Sequence, residues 1–288
     1  MCPCRHDYLM TKMEDNTIRP NVLEYEDLCD LAPFFKGKRR FADFCFKFLK
    51  MNDINELHRN NCKVPGAPCA KGILKDLDIT MVVENEEELD SLPKGAFITV
   101  SNHPFGALDG IMLISLLASR RKDYKVMVNL MLNYISALRG NFIAVDPTSS
   151  DKPEKKAITM RGIREAMKHV KEGHPMGFFP AGSVAMVNGK LKIEDNEWQP
   201  TIIRLIQQLK VPVVPIYFHG YNSIFSYVVG KIYWPLRSIF LPSELFRKKG
   251  ATMRISVGKP ISVEEQDKYQ SIEELTKFLR NATLSMKK

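Results

Sequence analysis

A histidine and an aspartate, His103 and Asp109, stand six positions apart in Ser101-Asn102-His103-Pro104-Phe105-Gly106-Ala107-Leu108-Asp109-Gly110. The segment follows directly on the apolar, strand-like run Ala96-Phe97-Ile98-Thr99-Val100. On a continuous helix, six steps of about 100° would leave the two side chains on different faces. Pro104 and Gly106 argue against such a helix and for a loop. The pattern predicts a helix opening near Ala107 and continuing through Ile111 to Leu117. Asp109 then lies in the first helical turn, and the loop folds His103 back towards it. A carboxylate that fixes the tautomer and direction of an imidazole makes it a directed proton acceptor. Taken alone, the pair has a plainer reading: a polar loop whose aspartate favours a helix N-terminus.

A second turn leaves another apolar run at Phe178-Phe179-Pro180-Ala181-Gly182-Ser183. Such a turn exposes backbone N–H groups that can hold an oxyanion or a polar acceptor, and it is equally an ordinary exit from a strand. No G-x-S-x-G pattern surrounds Ser183, so it is not the nucleophile elbow of a serine hydrolase. Val211-Pro212-Val213-Val214-Pro215-Ile216-Tyr217-Phe218-His219-Gly220 is a third buried strand, and its His219 reads as a packed or solvated histidine.

The elements that must position these turns alternate along the chain. Strands are predicted at 79–83, 97–100, 125–129, 142–145, 176–179, 213–218 and 253–257, with helices at 110–119, 130–138, 153–172 and 200–210. This alternation specifies an α/β fold, a mixed sheet covered by helices. Ser271-Ile272-Glu273-Glu274 is a capping-box pattern that opens a last amphipathic helix. Residues 22–62 read as helices, so an N-terminal helical segment over 1–75 is expected to precede an α/β domain over 76–288. Within it Phe41, Phe44, Cys45, Phe48 and Leu49 recur at helical spacing behind Lys36-Gly37-Lys38-Arg39-Arg40. That stripe admits two readings, packing on the main domain or lying on a bilayer surface.

With 288 residues, 44% hydrophobic and 26% charged, the chain has a globular composition and ample core. A net charge of +9 favours acidic partners such as an anionic lipid surface or an acidic carrier protein. Nucleic acid is not expected, because no zinc-finger spacing, aromatic RNA-binding signature or sustained basic stripe accompanies the charge. The six cysteines form no disulfide pattern and no apolar signal segment precedes them, which points to a reducing cytoplasm. Cys2, Cys4 and His6 make a poor metal site, and no metal is expected. No run of eighteen apolar residues exists to span a membrane.

In this order and spacing the segments resemble the glycerolipid acyltransferase superfamily, typified by 1-acylglycerol-3-phosphate acyltransferases, over roughly residues 75 to 260. Asn102-His103 with Asp109 stands at its first motif and Gly140-Asn141-Phe142-Ile143 at its second. Phe179-Pro180-Ala181-Gly182-Ser183 stands at the third and Val211-Pro212-Val213-Val214-Pro215 at the fourth. Five residues separate His103 from Asp109, where the typical family has four. That spacing, Phe-Pro-Ala-Gly, Gly220-Tyr221-Asn222-Ser223 and Asp195 followed by Trp198 are similar to the hemolysin-related branch, which includes the O-acyltransferases of ornithine and glycine lipids. The arginine that contacts acceptor phosphate in the second motif is absent, since this chain reads Ala144-Val145-Asp146-Pro147. The third motif's Glu is Ala181 and its following Arg is Val184. Losing a bidentate phosphate anchor shifts the expected acceptor to a phosphate-free lipid hydroxyl, unless a nearby cation such as Arg139 or Lys190 compensates.

The resemblance implies acyl transfer from an acyl carrier protein or coenzyme A thioester to a lyso-lipid, with no bound cofactor. His103 is the implied general base and Asp109 its orienter. Backbone donors around Pro180, Ala181 and Gly182 face developing charge, with Ser183 assisting. Asn102, Gly106, Phe179, Asp146 and Asn222 complete the implied substrate-binding set. A lyso-glycine or lyso-ornithine lipid is the implied acceptor; the alternatives are lysophosphatidic acid, and water in a thioesterase or lipid hydrolase. The aromatic and cationic run Tyr221 to Pro242 is either a membrane contact or a cover over the acyl groove. The expected location is peripheral, on the cytoplasmic face of the membrane.

Overall fold

Strands covered on both faces must be apolar throughout, whereas strands with one wet face alternate. The first pattern prevails here and builds a sheet between two helical layers. The computed structural model describes residues 17–146, 153–188, 192–232 and 234–287 and, within these, all side chains but those of 154 and 231–239. Cys2, Cys4, His6 and Lys190 lie outside the described residues.

Among the described residues four helices lead: α1 (Tyr25–Leu31), α2 (Arg39–Phe48), α3 (Met51–Asn61) and α4 (Ala67–Asp76). There follow β1 (Thr80–Glu84), β2 (Ile98–Ser101), α5 (Ala107–Leu113), β3 (Lys125–Asn129), β4 (Phe142–Val145), α6 (Pro153–Lys171) and β5 (Met176–Phe178). The chain continues through a small hairpin, β6 (Met186–Val187) and β7 (Ile193–Glu194), to α7 (Pro200–Leu209) and β8 (Val213–Phe218). The last elements are α8 (Ile224–Ile232), α9 (Trp234–Arg247), β9 (Thr252–Val257), α10 (Val263–Gln266) and α11 (Ile272–Leu284).

Among the described residues the main sheet has seven strands in the order β1-β9-β8-β2-β5-β3-β4. β8, β2, β5, β3 and β4 run parallel; β9 is antiparallel to β8 and carries β1 parallel to itself. The expected mixed sheet covered by helices is therefore the observed one. Strand residues alternate between two cores. Phe97, Val126, Val128, Val214, Ile216 and Phe218 face α4 and α5, whereas Ile98, Val100, Met127 and Val213 face α7 and α11. The predicted capping box is present at α11, where Ser271 Oγ accepts from Glu274 N at 3.1 Å.

The helix expected at 130–138 is instead two 3₁₀ segments, Leu130–Tyr134 and Ser136–Asn141. Asn129 Oδ1 accepts from Met131 N at 2.9 Å, and Ile135 takes φ −78°, ψ 75°, which interrupts helical bonding. α5 likewise ends early and widens into a π-type turn over Ile114–Ala118. In α2 the apolar stripe divides. Phe46 packs beside Val22, Leu23 and Tyr134, while Phe41, Phe44 and Phe48 stay exposed. Leu57, Cys62, Cys69, Ala70, Ile73 and Leu74 share the sheet's core, so α3 and α4 pack as part of it. No helix among the described residues is long and apolar enough to cross a membrane.

Candidate active site

Topology explains why three distant turns meet. β2, β5 and β8 are adjacent and parallel, so their C-terminal ends open on one edge of the sheet. The loops leaving them carry His103, the Phe179–Ser183 turn and the Gly220–Ser223 segment. In open α/β sheets this edge is where sites form.

Gly106 caps α5 with φ +88°, a conformation that favours glycine. Asp109, three residues on, turns one oxygen back into the loop: Oδ2 accepts from Phe105 N at 2.9 Å and Gly106 N at 3.0 Å, and stands 2.8 Å from His103 Nδ1. The carboxyl is fully buried, and its Oδ1 has no hydrogen-bond partner among the described residues. Burial pushes the Asp109 carboxyl up, against the pull of His103 and the two backbone donors. With Nδ1 donating to the carboxylate, Nε2 is left as the proton acceptor. The His103 side chain is 18% exposed, and the Phe179 ring stacks on it at 4.3 Å between centroids.

The backbone of His103 is clamped on both sides. Its N–H donates to Asp195 Oδ1 at 3.0 Å, and its carbonyl accepts from Ala185 N at 2.9 Å. Burial pushes Asp195 up to about 6, and its Oδ2 is buried without a partner among the described residues. Asp195 directly follows the β6–β7 hairpin, and its carbonyl accepts from Arg280 of α11 at 3.3 Å. The sequence offers Asp195 only through resemblance; its contact with His103 spans 92 positions and leaves no local signature.

The remaining candidates divide. Both polar atoms of the Asn102 carboxamide are engaged by the backbone: Nδ2 donates to Phe218 O at 2.9 Å and Oδ1 accepts from Phe218 N at 2.7 Å, which ties β2 to β8. In the third-motif turn, Pro180 has no N–H, Gly182 N donates to Phe179 O at 2.9 Å, and Pro180 O accepts from Gln199 N at 2.9 Å. Among the described residues, the N–H groups of Ala181 and Ser183 are the donors of this turn that meet no backbone acceptor. Gly182 sits at φ +67°, a conformation that favours glycine, and the space a Cβ would take is filled by the end of the Gln199 side chain. The Ser183 hydroxyl accepts from Asn196 Nδ2 at 2.5 Å. Asp146 directly follows β4, three strands from β2 and hence about 14 Å across the sheet. It pairs with Lys155 at 3.4 Å and is not brought to His103.

A roof closes over the His103 loop. A Cβ on Gly106 would lie 3.4 Å from both Leu241 of α9 and Val184, and one on Gly220 would lie 3.0 Å from the Phe105 ring. Ser223 donates N–H and Oγ–H to the buried Glu244 of α9 at 2.9 and 2.6 Å. The Lys248 ammonium lies 4.9 Å over the Phe105 ring and donates to Tyr221 O. Burial lowers the pKa of this ammonium, while Glu244 and Asp109 support its charge. Neither Glu244 nor Lys248 stands out in the sequence. The cysteines are placed differently: Cys69 is buried in the core, its thiol pushed up to about 12, the state of an inert structural thiol.

Among the described residues, a buried carboxyl thus orients an imidazole at the open edge of an α/β sheet, an arrangement able to accept a proton from a substrate hydroxyl. The class is an acyltransferase. The chain belongs to the acyltransferase family whose model matches residues 29–288. It is 26% identical over 244 residues to a lyso-glycine lipid O-acyltransferase of Bacteroides thetaiotaomicron, covering 82% of this chain and 85% of that protein. It is 24% identical over 275 residues to a protein of the same name from Phocaeicola vulgatus, covering 90% and 95%. Among solved structures it is similar to the 1-acyl-sn-glycerophosphate acyltransferase PlsC of Thermotoga maritima, with 17% identity, a TM-score of 0.47, and coverage of 97% of this chain and 95% of that one.

Proposed function

We propose that this acyltransferase moves a fatty acyl chain from an acyl thioester to the hydroxyl of an N-acylated amino-acid lyso-lipid, with His103 as general base and Asp109 as its orienter. The observation that carries this reading is the fixed Nδ1–Asp109 bond of 2.8 Å, which presents Nε2 as the acceptor of a proton. The acceptor oxygen bonds to the thioester carbonyl carbon as its proton passes to Nε2. The C–S bond then breaks, and the same proton goes to the departing sulfur, leaving an ester and a free thiol. The N–H groups of Ala181 and Ser183 are the donors nearest in the chain to the stacked Phe179, and developing oxyanion charge is assigned to them.

Two relatives named lyso-glycine lipid O-acyltransferases support an amino-acid lipid acceptor. So does the second motif, where Asp146 and its ion pair with Lys155 occupy the place of a phosphate-binding arginine. The donor is assigned to the acyl carrier protein or coenzyme A class; both are acidic and suit a chain of charge +9. Peripheral attachment to an anionic membrane surface on its cytoplasmic face accords with the exposed Phe34, Phe44, Phe48, Ile224 and Phe225 and the cations between them.

Purified protein given labelled acyl thioester is expected to form diacylated lipid with an N-(β-hydroxyacyl)glycine in preference to lysophosphatidic acid. His103→Ala is expected to lower that rate by about 10²–10⁴-fold. An undiminished rate in this variant overturns the mechanism, and acceptor-independent release of free fatty acid identifies a thioesterase instead.

A further inference from the structure

Asn222 is 7% exposed, and neither its Nδ2 nor its Oδ1 has a hydrogen-bond partner among the described residues. Buried carboxamides are normally satisfied, because each unpaired polar atom has lost its hydration with nothing in exchange. The rest of the loop is, by contrast, fully fastened. Asn222 N donates to the Tyr227 hydroxyl at 3.1 Å, and Ser223 is held through both its N–H and its hydroxyl by Glu244. Two residues before Asn222, Gly220 lies against the ring of Phe105, whose own N–H bonds to Asp109. A free donor and a free acceptor are thus held rigidly one loop away from His103. They sit just below the surface, since Tyr221 is 40% and Ile224 80% exposed.

We propose that Asn222 is a specificity residue that reads the secondary amide of the acceptor, accepting the amide N–H at Oδ1 and donating Nδ2–H to the carboxylate of the same amino-acid head group. The inference rests on the acceptor class proposed above and names the group by which that class is selected. In an extended N-acyl amino acid the amide N–H and a carboxyl oxygen lie on one side, as the N–H and carbonyl of Phe218 do towards Asn102, so together they satisfy both atoms of Asn222. An ester offers acceptors alone and leaves Oδ1 unpaired in the interior. A site built to bond a substrate N–H rejects the analogue that lacks it, because its own polar group then stays unpaired. In a β-hydroxyacyl amide the hydroxyl carbon stands two carbons along from the amide carbonyl, so a base and an amide reader on neighbouring loops suit one acceptor molecule. Lysophosphatidic acid carries its single acyl chain through an ester and fails this requirement.

The test compares an N-(β-hydroxyacyl)glycine with its ester isostere, the O-(β-hydroxyacyl)glycolate, in the full-length protein and in Asn222→Leu. The intact protein is expected to favour the amide by about 10-fold or more in kcat/KM. In Asn222→Leu the amide-to-ester ratio is expected to fall to within about threefold of unity, chiefly through loss of the amide rate. The variant exchanges an unpaired buried amide for an apolar group of similar size, so its thermal midpoint is expected to equal or exceed that of the parent. An unchanged amide-to-ester ratio in Asn222→Leu, with both rates lowered equally, overturns the assignment and leaves the acceptor class standing. A parent protein that acylates lysophosphatidic acid and neither glycine-derived probe overturns the acceptor class and this assignment with it.

Discussion

One oxygen of Asp109 receives the imidazole and two backbone N–H groups, while the other receives nothing among the described residues. The loop amides therefore fix where the carboxylate points, and the carboxylate fixes which imidazole nitrogen is free. Asp195 adds a different kind of control, because it holds the His103 main chain and not its ring. Its folded carboxyl keeps a proton up to about pH 6, against an ordinary value of 3.8. As pH falls between those values, the folded protein takes up a proton that the unfolded chain does not. This stabilisation is complete below the ordinary value and is lost as pH rises through about 6. Ionised Asp195 accordingly costs the fold at most about 3 kcal/mol at neutral pH. Asp195→Asn keeps an oxygen for the His103 N–H and removes the charge. It is expected to raise the urea midpoint at pH 7.5, with the gain shrinking towards pH 4. An equal gain at both values would show that the effect does not come from this ionisation.

At the scale of elements, the close approach of α6 to β4 is a matter of missing atoms. A Cβ on Gly162 would stand 2.5 Å from Ala144 O and 2.7 Å from Val145 Cγ1, so helix and strand touch through the glycine. Alanine is the better helix former by about 1 kcal/mol, but overpacking against a backbone carbonyl costs about 1–3 kcal/mol. Gly162→Ala is expected to lower the unfolding midpoint in urea, and a rise would mean that the helix yields freely. The strands were legible because a sheet covered on both faces needs unbroken apolar runs, and those between Phe97 and Phe218 supply them. The His103 fold-back was legible because Pro104 and Gly106 forbid the alternative. The 130–138 stretch was not, since its apolar periodicity suits a helix and only the Asn129 side chain and the Ile135 backbone break it. The tie from Asn102 to Phe218 was not legible either, because it spans 116 positions. Glu244 and Lys248 were silent for the same reason: their meaning lies in the roof they close, which no local pattern encodes.

At the scale of the whole molecule, the exposed aromatics join across elements that are distant in sequence. Phe44 stacks on Phe48 at 6.1 Å, Phe48 meets Phe240 of α9 at 6.2 Å, and Phe240 meets Phe225 of α8 at 5.5 Å. Arg247 lies over Phe225 at 5.9 Å, and Lys38 sits over the exposed Phe34 ring at 3.4 Å. Rings flanked by cations in this way suit the head-group region of a bilayer. The ridge continues into α9, whose Leu241 covers Gly106, and so adjoins the roof of the His103 loop. Burying two phenylalanines contributes several kcal/mol at about 25 cal/mol per Å². Phe44→Ser with Phe48→Ser is therefore expected to weaken partition onto vesicles containing anionic lipid by about 100-fold or more. Added salt is expected to weaken binding of parent and variant alike, because the cations remain and act through screened charge. With a short-chain acceptor below its micelle concentration, both proteins are expected to transfer acyl groups at similar rates, since neither ring touches the His103 loop. Unchanged vesicle partition in the double variant would show that the ridge serves protein contacts and not the membrane.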